Sequence, residues 1–340
     1  MNRKILGYGE LMLRLSPQGH GNLIEQSDAL HMSFAGAEAN IIADLALLGH
    51  HTLFFTTFPG NPIGRKANQF LNSFGVNTDL ISWKEGRLGT YYIEHGSSIR
   101  ATRVTYDREN SLFSNTKISH KEWENALSAV EVLILTGITP ALSEICMLNV
   151  KTALKVCKGR SIKVLFDLNF RRTLWKNDKA KQFFESILPD VAILCGNVGS
   201  AFDIFNIRTS EIEDYKSLEQ ATRQAADELG NYGEFEYIAM TMRLQENASK
   251  NRLGGFIKKE EKYAFSHAIS IKIIDRLGGG DAFAAAVLHG ILKKWELDKI
   301  VNFSAAAFAA TQTIQGDINF LTEEEILSLA NGNTRGFVKR

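Results

Sequence analysis

The 340-residue sequence predicts an α/β protein with a mostly parallel sheet covered by helices on both faces, and two observations carry that prediction. The apolar runs "VEVLILTGI", "IKVLFDLN", "DVAILCGN" and "FEYIAMTMR" alternate with segments of helical periodicity around residues 142–157, 178–188 and 218–229. Small and polar residues gather where these runs end, in "TGI", "DLNFR" and "CGN", and again in "DRLGGGD". In open α/β sheets ligands collect beyond the carboxyl ends of the strands, so these termini are expected to share one site.

The elements follow in order. "KILGYG" reads as a buried strand, and "AEANIIADLALLGH" as a helix stopped at Gly49. Between them, and again over residues 89–110 in "GTYYIEHGSSIRATRVTYDREN", Tyr, Thr, Val and Ile alternate with polar residues. That pattern predicts short strands exposed on one face, forming a small accessory sheet. "GNPIGRKANQFLNSFGV" predicts a helix with Pro62 near its start and Gly75 at its end. There is no internal repeat, low-complexity tract or proline-rich linker, and only 5 prolines occur in all, so one domain over residues 1–340 is expected. Its lid strands would be inserted at about 11–33 and 87–110.

Composition narrows the function. With 39 basic against 38 acidic side chains the net charge is +1, which favours neither nucleic acid nor an anionic membrane; charge recognition must be local. Cys146, Cys157 and Cys195 form no CxxC pair and are odd in number, which argues for buried reduced thiols over a disulfide framework or a cysteine zinc site. "MNRKILGYGELMLRLS" has too short an apolar run for a signal peptide, and no apolar stretch is long enough to span a bilayer. A soluble cytoplasmic protein is the expectation.

"IIDRLGGGDAFAAAVLHGIL", residues 273–292, carries the chemistry. A dinucleotide-binding GxGxxG starting at Gly278 and Gly280 fails at Phe283, and a P-loop fails because the next lysine is Lys293. What remains is a strand, a turn of Gly278, Gly279 and Gly280, and a helix starting near Asp281. Its free N–H groups and positive end form an anion site. Helix capping alone would account for Asp281, but not for three glycines that let the backbone approach a phosphate. A carboxylate beside bound phosphate is suited to taking the proton of an attacking hydroxyl while backbone donors stabilise the transferring group.

These residues resemble the ribokinase-like (PfkB) carbohydrate kinases, one branch of which carries DRxGGGDxF; "DRLGGGDAF" matches it. "GELMLRLSP", "AGAEANIIADLALLG", "FPGNPIG", "FDLNFRRTLW" and "AATQTIQGDINFLTEEEI" are similar, in the same order, to the 2-keto-3-deoxygluconate kinase branch. The resemblance implies a three-layer α/β/α sandwich with a β-sheet lid that forms a homodimer contact or part of a higher assembly. It also implies ATP and Mg²⁺ as cofactors, with 2-keto-3-deoxy-D-gluconate phosphorylated at its 6-hydroxyl. By resemblance Asp281 is the catalytic base and Gly278, Gly279 and Gly280 cradle the γ-phosphate. Gly36, Ala37, Asn40, Tyr91, Tyr106, Arg108 and Arg171 face the sugar acid, and Asn169, Asn197 and Arg243 lie on the nucleotide side. Two buried guanidiniums, Arg108 and Arg171, would select a sugar acid over a neutral sugar. The small apolar segment 302–313 is expected either as adenine pocket or as plain core. No residues are assigned as direct metal ligands.

The sequence departs from the family at two places: Ser200 stands where the N-x-x-E motif has its acid, and Ala35 where glycine is common. Two alternatives therefore stay open. One is a kinase of another sugar, of fructose, ribose or tagatose type; the other is a weakly catalytic sensor that binds a sugar acid.

Overall fold

The computed structural model describes residues 4–19 and 21–334. Its main sheet has nine strands. Six run parallel in the order Tyr237–Gln245, Ile193–Gly196, Lys163–Asp167, Val130–Thr136, Lys4–Tyr8 and His51–Phe55. Beyond Tyr237–Gln245 the sheet continues antiparallel through Lys250–Lys259, which pairs with Lys262–Phe265 at one end and Ile269–Lys272 at the other. The sequence marked only the first arm of that hairpin; its second arm, "KNRLGGFIKK", carries two glycines and no long apolar run.

Period-two alternation divides the interior into two cores. Leu133, Leu135, Val164 and Phe166 point to one face, packed under helices Glu144–Arg160, Asn177–Glu185 and Tyr215–Leu229. Val132, Ile134 and Leu165 point to the other, under Ala37–Leu47, Pro62–Ser73, Gly279–Leu292 and Leu297–Thr311. Buried on both sides, the central strands are apolar throughout, each large side chain contributing about 1.5–3 kcal/mol of transfer free energy. Helix ends sit where the residues dictate. Asn61 caps Pro62–Ser73, whose first residue is proline, and Gly49 and Gly75 turn away in the left-handed region.

Registry of the parallel strands fixes the site. Asp167 pairs with Thr136 on one side and Cys195 on the other, and Cys195 pairs with Ala239, so the strands end along one edge. Above that edge lies a separate four-stranded sheet in the order Leu30–Ala35, Met12–Pro17, Thr90–Glu94, Arg103–Asp107. Met12, Ala35, Tyr91 and Ile93 on its inner face form a small apolar cluster against Leu277, beside the glycine turn. The row Met32, Leu15, Tyr92, Thr105 lies on the opposite face.

Candidate active site

The helix Gly279–Leu292 begins on a residue that only glycine fills comfortably. Gly278 has φ +73°, and a Cβ there would collide with the carbonyl oxygen of Asp317. Gly280 faces open space, so its absent side chain serves access rather than packing. Asp281, in the first turn, is 8% exposed. Burial pushes its pKa well above the ordinary carboxylate value; Asp167 and Asp317 add to the rise, while Asn40 and Arg171 oppose it.

A second helix start meets the first. Gly36 sits so close to the main-chain oxygen of Glu10 that a side chain would strike it. The chain then enters Ala37–Leu47, whose Asn40 is buried and donates from Nδ2 to Asp281 Oδ2 at 2.7 Å. Asn40 also accepts the Gly36 N–H through Oδ1 at 3.3 Å, which fixes which way the amide faces. Asn40 thus touches Asp281, Gly36 is joined to it through the same amide, and Ala37 is the first residue of the helix that carries Asn40.

A cavity of about 920 Å³ opens from this point along the strand ends. Asn169, Arg171, Asn197, Arg243, Gly278, Gly279, Gly280 and Asp281 all line it, so eight of the residues singled out in the sequence share one space. Asn169 takes the left-handed φ of +30°, and its N–H donates to Asp167 Oδ1 at 3.1 Å. Asn197 caps the helix Val198–Phe205 reciprocally with Ser200: Asn197 Oδ1 accepts the Ser200 N–H at 2.9 Å, and Ser200 Oγ accepts the Asn197 N–H at 3.0 Å. Serine here preserves the helix start and supplies no charge. Of the segment 302–313, Phe308 reaches the cavity, while Ala305, Ala306, Ala307 and Ala309 are buried in the core.

The two arginines expected to recognise a carboxylate are placed differently. Arg108 is buried and already engaged: its Nε and Nη2 donate to Glu10 Oε2 at 3.0 and 2.5 Å, and its guanidinium lies 5.6 Å from the Tyr106 ring. Arg171 corrects the expectation of burial, for it is exposed on the cavity wall, where the chain has left the strand Lys163–Asp167. Its neighbour Arg172 faces outward to Asp203. Tyr91 is buried and Tyr106 is 40% exposed, their ring centres 6.0 Å apart across paired strands.

Sequence reasoning passed over Asp167 and Arg276. Asp167 lies at the cavity with its pKa raised to about 6, by burial first. Arg276 stands near Arg243, whose pKa falls to about 10 through burial and the neighbouring Arg276 charge. Two cations crowded together in a cavity make a receptor for a polyanion. Both missed residues lay inside quoted motifs, "FDLNFR" and "DRLGGGD", and their signal was adjacency to residues already chosen.

Among the described residues no group of three or more His, Cys, Asp or Glu is gathered to hold a metal. Asp167 and Asp281, opening on a cavity rich in cations, fit Mg²⁺ of the kind that keeps its waters and borrows substrate phosphates.

A three-layer α/β/α fold whose strand ends bring together a glycine-flanked helix start, a buried aspartate and several arginines defines a phosphotransferase acting on alcohol groups. The chain belongs to the pfkB family of carbohydrate kinases, whose pattern matches residues 2–324. It is 28% identical to the 2-dehydro-3-deoxygalactonokinase of Haloferax volcanii, the alignment covering 99% of each chain. Among solved structures it is similar to the 2-dehydro-3-deoxygluconokinase of Thermotoga maritima, with 34% identity, 97% and 100% coverage and a TM-score of 0.91. A PfkB family carbohydrate kinase from Listeria grayi is 35% identical over 97% of this chain and 100% of that one, with a TM-score of 0.86. No helix among the described residues is long and apolar enough to cross a membrane.

Proposed function

We propose that the protein transfers the γ-phosphate of ATP to the 6-hydroxyl of 2-keto-3-deoxy-D-gluconate, giving 2-keto-3-deoxy-6-phosphogluconate and ADP. One observation carries the reading: the Asp281 carboxylate, held by Asn40, adjoins the N–H groups of a positive-φ glycine turn and shares a cavity with the exposed cation Arg171. Asp281 accepts the hydroxyl proton as the new O–P bond forms, and the bond from the γ-phosphorus to the β-bridging oxygen breaks with ADP as leaving group. The N–H groups of Gly279 and Gly280 face the charge on the transferring group. Arg243 and Arg276 hold the nucleotide phosphates, and Mg²⁺ bound near Asp167 would neutralise part of their charge. Closure of the small sheet over the sugar keeps water from the γ-phosphate.

Arg171 supports a sugar acid, because an exposed guanidinium without an acidic hydrogen-bond partner among the described residues can engage a carboxylate through two parallel bonds. The Haloferax volcanii relative favours a second reading within the same class, the galactonate epimer of the substrate. ATP and Mg²⁺ agree with an E. coli protein of this fold solved with both, 16% identical over 97% of this chain and 99% of that one, TM-score 0.79. We further propose a cytoplasmic homodimer joined through the outer row Met32, Leu15 and Tyr92; light scattering on Met32→Glu should show the monomer mass.

The deciding experiment is a substrate panel with ATP and Mg²⁺: both 2-keto-3-deoxy epimers, gluconate, fructose and ribose, with Asp281→Asn as control and ³¹P NMR to locate the phosphate. Turnover confined to neutral sugars would overturn the sugar-acid reading. Binding of the acid with no turnover above the control would leave a sensor.

A further inference from the structure

We propose that Arg14, carried on the small sheet, is a positioning residue that holds the Gly278 turn in its phosphate-cradling shape. The inference rests on the phosphotransfer reading above and adds to it a residue that touches neither substrate.

Arg14 is 2% exposed and lies on the strand Met12–Pro17, far from the turn in sequence. Its guanidinium is shared between two carboxylates: Nη2 donates to Asp275 Oδ2 and Nη1 to Asp317 Oδ1. Asp275 precedes Gly278 by three residues. Its Oδ1 accepts the Leu277 N–H at 3.2 Å and its Oδ2 accepts the Gly316 N–H at 3.1 Å, so this carboxylate pins both segments that flank the turn. Asp317 supplies the carbonyl against which Gly278 is pressed. The guanidinium therefore bridges the two walls between which the left-handed residue is held. His95, directly after the strand Thr90–Glu94, completes the cluster, 3.5 Å from Arg14 Nη2 and 3.8 Å from Asp275 Oδ1.

A buried cation needs one carboxylate to balance its charge; a second adds desolvation cost that simple neutralisation does not require. The two acids come from different segments, and what their bridging secures is the spacing between them. A second tie runs the same way. Ser98, between two strands of the small sheet, donates its N–H to Ser249 Oγ at 2.8 Å and accepts the Ala248 N–H at 3.0 Å, while the Ser249 carbonyl accepts the N–H of Ile273 at 2.8 Å, on the path into the turn. The small sheet is thus bonded both to the turn's walls and to the strand that feeds it.

The test uses Arg14→Lys and Arg14→Gln in the full chain, with hydrogen–deuterium exchange and steady-state kinetics side by side. The turn peptide 273–283 of Arg14→Lys should exchange at least about tenfold faster than in the parent, with peptide 130–136 unchanged as the control for global stability. In the same variant kcat should fall about tenfold to hundredfold while KM for the sugar acid moves less than about threefold, because the hydroxyl is still bound but the phosphate is misplaced. Arg14→Gln should exchange faster still. If it fails to fold, Arg14→Lys, which keeps a cation between the acids, decides the matter alone. Unchanged exchange at the turn overturns the proposal; so does a rise in KM at constant kcat, which would make Arg14 a substrate contact. If the parent protein phosphorylates no sugar acid, the functional reading falls, and the exchange measurement still decides whether Arg14 holds the turn.

Discussion

Asn40 Nδ2 lies 2.7 Å from Asp281 Oδ2, joining the starts of two helices that are 241 positions apart in sequence. The amide stabilises the ionised form of a carboxylate that burial would otherwise keep protonated. The proposed base role requires the ionised form, so activity should fall as pH drops through the raised pKa of Asp281. Removing the amide raises that pKa further, so the acid limb of the kcat profile in Asn40→Ala should move to higher pH. Asp281→Asn should lower kcat by at least about 10³-fold with nucleotide affinity retained. An unmoved acid limb in Asn40→Ala would show that another group sets it.

The same carboxylate carries a stability cost with a definite sign. Its folded pKa exceeds its unfolded value, so the folded state binds more protons between the two, and stability drains away as pH rises through the folded pKa. Asp281→Asn should therefore raise Tm by at least about 2 °C at pH 8, and the gain should shrink steadily on acidification. A gain independent of pH would mean that ionisation is not its source.

Adjacent glycines should fail differently. Gly278→Ala forces a side chain into the left-handed region and against Asp317, so it should lose about 1–3 kcal/mol of stability as well as activity. Gly280→Ala meets nothing in the protein and should keep the parental Tm, yet its methyl group projects where the phosphate approaches and kcat should drop. Equal melting temperatures for the two variants would contradict this division.

The arginines separate in the same manner. Arg171→Leu, on an exposed residue, should leave Tm unchanged and cut kcat/KM for the sugar acid about a hundredfold, with any activity on neutral sugars untouched. Arg108→Met strands the buried Glu10, whose Oε1 has no hydrogen-bond partner, and should cost about 3–5 kcal/mol in urea unfolding. Much of that loss should return in Glu10→Gln/Arg108→Met; an additive double variant would show the two residues uncoupled.

With Ser200 uncharged, Asp167 is the acid that lines the cavity among the described residues besides the proposed base. Asp167→Asn should raise the Mg²⁺ concentration for half-maximal activity at least about tenfold at unchanged KM for the sugar acid. A purely structural Asp167 would instead change Tm and leave the Mg²⁺ titration in place.

The alternation of apolar runs made the parallel sheet and its covering helices legible, because strands buried on both faces must be apolar throughout, as Leu133 and Ile134 show from opposite sides. The glycine turn was legible for a related reason: Gly278 tolerates no Cβ, so its identity reports the backbone directly. Charge pairing was not. Nothing local to Arg108 says that Glu10 will neutralise it, since the partner is 98 positions away, and nothing local to Arg171 says that it will stay exposed. Nothing local to Arg14 marks it either, because its two carboxylates are brought to it only by the closed fold.

The strand Lys4–Tyr8 lies in the sheet between His51–Phe55 and Val130–Thr136, while the helix bearing Asp281 comes from the last quarter of the chain. During synthesis Asn40 leaves the ribosome long before the acid it holds. A growing chain can therefore complete much of its sheet without possessing a reactive centre. The fold delays the capacity to transfer phosphate until the segment bearing Asp281 has been made.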